Sequence, residues 1–488
     1  MKAVILSSFG NVGVLKIASN RRIPVIPHVR SFPSFFEYAW RLKNALTHQN
    51  QSTSEGRKSY SDSLVLVKCV AYGLNRGDVL QRRGKYPPPK AANPLLQEDI
   101  VCGLEASGVV VDVGRKVQKC SVGDPVMALL TGGGYGEYVL VDESVIMNLK
   151  REIASGDTIL WKLKRLAGGI ISRPFSIQYL LSRFTKEDYQ KLMFAACIPE
   201  AYLTAFQCLF IEHPNGGIKS GENVLIHAGA SGVGIAAIRI CRAHGAVPHV
   251  TVRSSGKATV CRQLGAEKVY TFCTQNSSST YSEGFDAFPN ESSMDLIVDP
   301  VFGSSYFSRG ASLLKKDGVY VILSFLGGSK IPDSPQKGEH SPDFSSIQMN
   351  FASFLAKRNR IVFTTLRNRG VEYKKKLILK FEAFLAASAS LNLNPIIVET
   401  GKKWEIDRTN GPSNTEERIS YCLQSTESKQ TIPPKWIQPV IYKSFAVLSE
   451  TNQAMMNTSS DLQDAHNVQR AHKILEANEN IGKIMLYW

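Results

Sequence analysis

The chain has 488 residues, 43% hydrophobic and 20% charged, with a formal net charge of +16. That size needs no metal or disulfide staple to build a core. The composition is that of a globular enzyme rather than a disordered or membrane-spanning chain, for no apolar run approaches the ~18–20 residues of a span.

The nine cysteines form no C-x-x-C pair, so they read as reduced, buried thiols rather than a disulfide framework or a structural zinc lobe. Much of the positive charge sits where apolar periodicity is absent. Residues 20–62 carry seven Lys/Arg against three Asp/Glu, and residues 150–190 carry eight against four. These read as solvated insertions, with an anionic partner such as RNA or a membrane surface as the second reading.

In chain order, MKAVILSSFG opens as a strand and a turn, which leaves no room for a cleaved leader and predicts a cytoplasmic protein. Residues 64–149 alternate β-rich runs (LVLVKCVAYG, ASGVVVDVG, DPVMALL, YGEYVLV) with glycine turns, the pattern of an antiparallel, barrel-type β domain. Within 150–190, ILWKLKRL and SIQYLLSRF predict short amphipathic helices. From 191 to 365 strands and helices alternate: VLIHAGA, IAAIRICRAHGA, VPHVTV, a helix ending QLGA, KVYTF, DLIVDPV and GVYVILSF. Such alternation predicts a doubly wound parallel sheet, so the fold class is α/β. From about 436 follow a strand (IQPVIY), a helix (DLQDAHNVQRAHKILEA) and a last strand (KIMLY). Segments 44–62, 274–293, 329–346 and 401–435 are rich in Ser, Asn, Gln, Pro and Lys and read as polar loops.

The expected organisation is a catalytic β domain over 1–190 with insertions 20–62 and 150–190, and a Rossmann dinucleotide-binding domain over 191–365. Residues 366–488, with insertion 401–435, then return to the catalytic domain.

The sharpest local signal is HAGASGVG (227–234), which leaves a buried strand and opens a helix ended by Gly245. Gly229, Gly232 and Gly234, with Ser231 and Val233 between them, let the backbone approach a pyrophosphate that sits on the helix N-terminus. An NAD site places an acid at the end of the next strand, about 20 residues on. Here that strand runs into Arg253-Ser254-Ser255-Gly256-Lys257. Two cations and the hydroxyls suit a 2′-phosphate through charge-assisted hydrogen bonds, which makes NADPH the expected cofactor.

The motifs LNRGDVLQRRGKYPPP (74–89), GLEASGVVVDVG (103–114), MALLTGGGYGEYV (127–139), IPEAYLTAFQ (198–207), HAGASGVG, LAKRNRIVFTTLRNR (355–369) and AHKILEANENIGKIML (471–486) run through most of the chain. Together they resemble the zinc-free quinone oxidoreductase branch of the medium-chain dehydrogenase/reductase family. The resemblance implies a GroES-like catalytic domain beside the Rossmann domain. Asn75 and Leu104 stand where the zinc relatives place a thiolate and a histidine, and neither is a useful zinc ligand, so no metal is expected. By the same resemblance Asn75 and Asp78 line the quinone pocket and Tyr86 sits beside the nicotinamide. Thr204 bonds its carboxamide, Ser231 contacts the cofactor, and Leu326, Gly327 and Thr364 border the ring. A tyrosine found near the 2′-phosphate in relatives falls at Phe272, which throws more of that recognition onto Arg253. The implied activity is NADPH-dependent reduction of a quinone or related electrophile by a homodimer. Reduction of an enone or alkenal double bond is the close alternative, and an RNA-binding or structural relative is the alternative of a different class.

Overall fold

The computed structural model describes residues 3–6, 8–18, 62–86, 100–149, 181, 184–271, 286, 289–328, 351–390, 460–478 and 480–487. Its first part holds β1 (Ala3–Leu6), β2 (Leu15–Ala18), β3 (Leu64–Leu74), α1 (Arg76–Arg82), β4 (Ile100–Val101), β5 (Glu105–Val113), β6 (Pro125–Leu129), β7 (Tyr138–Asp142) and β8 (Ile146–Asn148). Nearly every residue of β3 is buried, so its sequence reads as a continuous apolar run instead of an alternating one. Its length lets it serve three partners. One edge pairs with β5, and the other pairs with β7 over Leu64–Lys68.

The second part begins with α2 (Lys186–Ala195) and α3 (Pro199–Phe206). A capping box starts α2: the Thr185 hydroxyl accepts from Asp188 N at 3.1 Å, and the Asp188 carboxylate accepts from Thr185 N at 2.9 Å. This helix crosses the boundary expected at 190. It packs on the catalytic sheet, with Leu192 fully buried and the Ser107 hydroxyl donating to Leu192 O at 2.5 Å.

Then come β9 (Asn223–Ile226), α4 (Gly232–His244), β10 (Val247–Thr251), α5 (Ser255–Gln263), β11 (Lys268–Tyr270), β12 (Met294–Asp299), α6 (Ser304–Leu313), β13 (Leu314–Ile322), α7 (Phe351–Lys357) and β14 (Arg360–Phe363). The sheet order is β11-β10-β9-β12-β13-β14, and every pair is parallel. That is a Rossmann arrangement, in which the chain reverses its winding between β9 and β12 and a crevice opens at the carboxyl ends of those strands.

The chain closes with α8 (Val371–Ser390), α9 (Ser460–Ala477) and β15 (Ile484–Tyr487). Strand β15 pairs antiparallel with the far half of β3, Ile484 opposite Leu74, and so joins the catalytic sheet. Helix α9 buries Val468, Ala471, His472 and Leu475, and the His472 Nε2 lies 3.2 Å from the Tyr135 hydroxyl.

The seven described cysteines are buried and joined in no disulfide, and burial pushes the thiols of Cys69, Cys197 and Cys261 up to about 12. Cys273, Cys422, Phe272, Pro87–Pro89, the run ILWKLKRL, most of SIQYLLSRF and the strand IQPVIY lie outside the described residues, as do most of the basic insertions. The polar segment 274–293 is tied down where it is described: the Asp286 carboxylate accepts from Val269 N at 2.7 Å and from Arg262 at 3.0 Å. Among the described residues no helix is long and apolar enough to cross a membrane.

Candidate functional site

The turn from β9 to α4 has the geometry that its glycines predict. Ser231 is the N-cap, its hydroxyl accepting from Gly234 N at 3.0 Å. A Cβ on Gly234 would stand 2.5 Å from the carbonyl oxygens of Ala228 and Gly229, so helix and turn touch backbone to backbone. Gly232 and Val233 follow in the first helical turn, whose N–H groups have no intrahelical partner and point outward. These residues fit the pyrophosphate of a dinucleotide.

Of the other sequence-predicted cofactor residues, Arg253, Ser254, Lys257, Leu326, Gly327 and Thr364 follow the carboxyl ends of sheet strands. Arg253 follows β10 and is exposed, Ser254 caps α5, and the Lys257 ammonium donates to the Asn478 carbonyl at 2.6 Å. Leu326 and Gly327 lie beyond β13 and are exposed; Gly327 N donates to Val301 O at 2.7 Å, which ties this loop to the one after β12. Thr364 follows β14 within a network: its hydroxyl donates to Glu212 at 2.6 Å and accepts from Arg369 at 3.2 Å. Thr204 lies half-buried on α3.

From the catalytic side, the Tyr86 hydroxyl lies 3.1 Å from Thr365 Oγ1, and the Arg367 guanidinium stacks 4.9 Å from the Tyr86 ring centre. Burial, more than any partner, raises the Tyr86 phenol. Thus Tyr86 reaches the end of β14, next to Thr364. Asn75 and Asp78 are placed differently from open pocket walls. Asp78 is fully buried and its two oxygens accept from Asn75 N at 2.8 Å and Gly103 N at 3.0 Å; burial pushes its carboxyl up to about 6. The Asn75 amide donates to Glu105 Oε1 at 3.0 Å and accepts from Lys483. Leu104 is buried, 2.8 Å from where a Cβ on Gly77 would stand.

Sequence reasoning passed over the residues that organise this corner. Lys483, just before β15, is buried; it lies 2.5 Å from Glu105 Oε1 and donates to Leu74 O at 2.8 Å. Its stem lies over the dinucleotide turn, since a Cβ on Gly232 would meet Lys483 Cδ at 2.6 Å. Gly482 N donates to Ala230 O at 2.8 Å, so the returning chain clasps that turn. Glu105 Oε2 also accepts from Glu200 N at 2.8 Å at the start of α3. A signal existed: a lone Glu in GLEASGVVV and a lone Lys in IGKIML are charges within apolar runs, and such charges are rarely buried without a partner. Arg76 was also missed. Its guanidinium donates to the Asn478 side chain, and burial followed by the nearby Arg83 and Arg253 cations lowers its affinity for its proton.

Residues 61–151 match the family described as alcohol dehydrogenase GroES-like domain, and residues 232–377 match zinc-binding dehydrogenase. Together with the fold, these two matches support the medium-chain dehydrogenase/reductase family. Within it the likeness is to quinone oxidoreductase: that of Sus scrofa is 29% identical over 271 residues, 55% of this chain and 67% of the relative. The synaptic vesicle membrane protein VAT-1 homolog of Danio rerio is 28% identical over 279 residues, 57% of this chain and 47% of its own length. A putative inactive phenolphthiocerol synthesis polyketide synthase of Mycobacterium tuberculosis is 27% identical over 326 residues, 66% of this chain and 16% of its own length. The chain therefore spans less than half of these last two relatives. Among solved structures, an NAD-dependent alcohol dehydrogenase superposes with a TM-score of 0.54 at 17% identity, covering 100% of both chains. A mycobacterial protein complexed with NADPH gives 0.53 at 18%, again over 100% of both. These superpositions establish this dehydrogenase/reductase fold. Among the described residues no three His, Cys, Asp or Glu side chains cluster as a metal site.

Proposed function

We propose that this dehydrogenase/reductase is an NADPH-dependent quinone reductase that works without zinc, as a cytoplasmic homodimer. The observation that carries this reading is what stands at the zinc-ligand places: Asn75 is locked between Glu105 and Lys483, and Leu104 is buried packing. A corner so filled with an amide, an ion pair and an alkyl chain suits positioning of an acceptor more than metal chemistry. When bound, the reduced nicotinamide supplies the hydride. The chain's own residues do the rest. The first turn of α4, with Gly232, Val233 and Gly234, holds the pyrophosphate, and Arg253, Ser254 and Lys257 hold the 2′-phosphate. Thr204 orients the carboxamide, while Leu326, Gly327 and Thr364 border the ring. Tyr86 covers the ring, its hydroxyl held beside Thr365. Asn75 and Asp78 fix the floor through α1 rather than by touching the acceptor, because their polar atoms are already engaged. The outer edge of β14, with Phe363 62% exposed, supports pairing with a second copy.

A second acceptor class is suggested by a TM-score of 0.51 at 14% identity to an enoyl reductase. Both acceptors take hydride beside a polarised carbonyl. A screen that follows NADPH absorbance with quinones, enones and alkenals tests the reading. Turnover with quinones by metal-free protein is expected. Turnover confined to conjugated double bonds would move the assignment to that class, and none with any acceptor would overturn it.

A further inference from the structure

We infer that Glu200 is the proton donor of the reduction, an assignment that rests on the reductase reading above. Glu200 is the second residue of α3, after Pro199, and Thr204 lies one turn further along the same face. The N-terminus of α3 abuts the dinucleotide turn, for a Cβ on Gly232 would stand 3.8 Å from Ala201 Cβ. An acid in the first turn of a helix is ordinarily solvated and ionised, favoured by the helix dipole. Glu200 is half-buried instead, with one carboxyl oxygen turned inward. Its Oε2 is shut off from solvent and has no hydrogen-bond partner among the described residues. A carboxylate left that way would be costly, whereas a neutral acid is tolerated and carries a proton to give.

The charged groups around it come from every element packed there: Glu105 on β5, Asp78 on α1, Lys483 before β15 and Lys374 on α8. Tyr86 and Arg367 feel its charge as well. Burial first, and then the Glu105 carboxylate, push the Glu200 carboxyl up to about 8, despite the two lysines. An acid poised there is protonated at neutral pH and weak enough to be recharged, which is what a general acid requires.

The step balances as follows. The quinone takes a hydride from the reduced nicotinamide and becomes a hydroquinone monoanion. The O–H bond of Glu200 breaks, its electron pair stays on the carboxylate, and a new O–H bond forms on the acceptor oxygen. Solvent then returns one proton to Glu200, so the sum is NADPH, quinone and one proton giving NADP+ and hydroquinone.

The test has two arms on the full chain. In cofactor-free protein, infrared titration should show a carboxylic-acid band at pH 7 that fades with a midpoint near pH 8 and is missing from Glu200→Gln. In turnover, wild-type kcat should fall above that midpoint. Glu200→Gln should bind NADPH as wild type does, yet lose about 100-fold in kcat with no such pH dependence. The loss should grow with the basicity of the acceptor's reduced oxygen, and Glu200→Asp should recover part of it. A wild-type protein without the band, or a Gln variant with wild-type kcat and pH profile, overturns the donor and leaves the reductase standing. A wild type that binds NADPH and reduces no acceptor overturns both.

Discussion

Lys483 Nζ stands 2.5 Å from Glu105 Oε1, and both residues are buried, so one ion pair joins the last strand of the chain to the catalytic sheet beside the dinucleotide turn. Such pairs contribute little net stability when intact, but removing one partner strands a charge. Lys483→Met should therefore cost about 3–5 kcal/mol in urea unfolding, and Lys483→Met with Glu105→Gln should recover most of that. If the single variant unfolds like wild type, the Glu105 carboxylate is not held as a charge. NADPH affinity should fall in the single variant too, because the Lys483 stem covers Gly232.

On the reading proposed above, cofactor choice turns on Arg253 and Lys257. The protein should prefer NADPH to NADH by roughly 1.5–3 kcal/mol, the size of a charged hydrogen bond, and Arg253→Ala with Lys257→Ala should remove most of the preference. Binding titrations with both cofactors decide it, and equal affinity in the unmodified protein would sink the idea. Because Arg76 lies within electrostatic reach of Arg253, Arg76→Ala should weaken NADPH more than NADH.

With Asn75 and Leu104 where zinc ligands would stand, activity should survive dialysis against a strong chelator. Elemental analysis should find far less than one zinc per chain. A stoichiometric metal whose removal abolishes turnover would refute metal independence.

Tyr86 separates two roles. Its ring is held under Arg367 and its hydroxyl beside Thr365. If the ring mainly orders the cofactor, Tyr86→Phe keeps near-normal turnover and only Tyr86→Ala weakens NADPH binding; we expect this outcome, since proton donation falls to Glu200. A fall in kcat for Phe with unchanged NADPH affinity would instead give the hydroxyl a part in the transition state.

His472 sets an acid limit. Burial holds its imidazole down at about 3, against an ordinary value of 6.5. Below 6.5 the unfolded chain binds a proton that the folded one refuses, so stability is complete above 6.5 and is lost progressively toward 3. Melting temperature should drop across that window, and His472→Gln should flatten the drop. An unchanged acid profile in the variant would assign acid lability to other groups.

The parallel sheet, the turn at 227–234 and the helices on either side were legible in the sequence because their causes are local. Strand and helix differ in period, Ser231 caps within three residues, and Gly234 is needed wherever helix and turn meet backbone to backbone. The absence of an acid after β10 was legible for the same reason. The family resemblance singles out Asn75, but nothing in the sequence says what holds it. Its partners Glu105 and Lys483 are 30 and 408 positions away, and nothing in the pattern around any of the three announces the others. Glu200 reads in sequence as an ordinary first-turn acid. Only the tertiary structure, by shutting its oxygen from water beside Glu105, makes it an acid that keeps its proton, because that depends on desolvation and on charges that only the fold brings together.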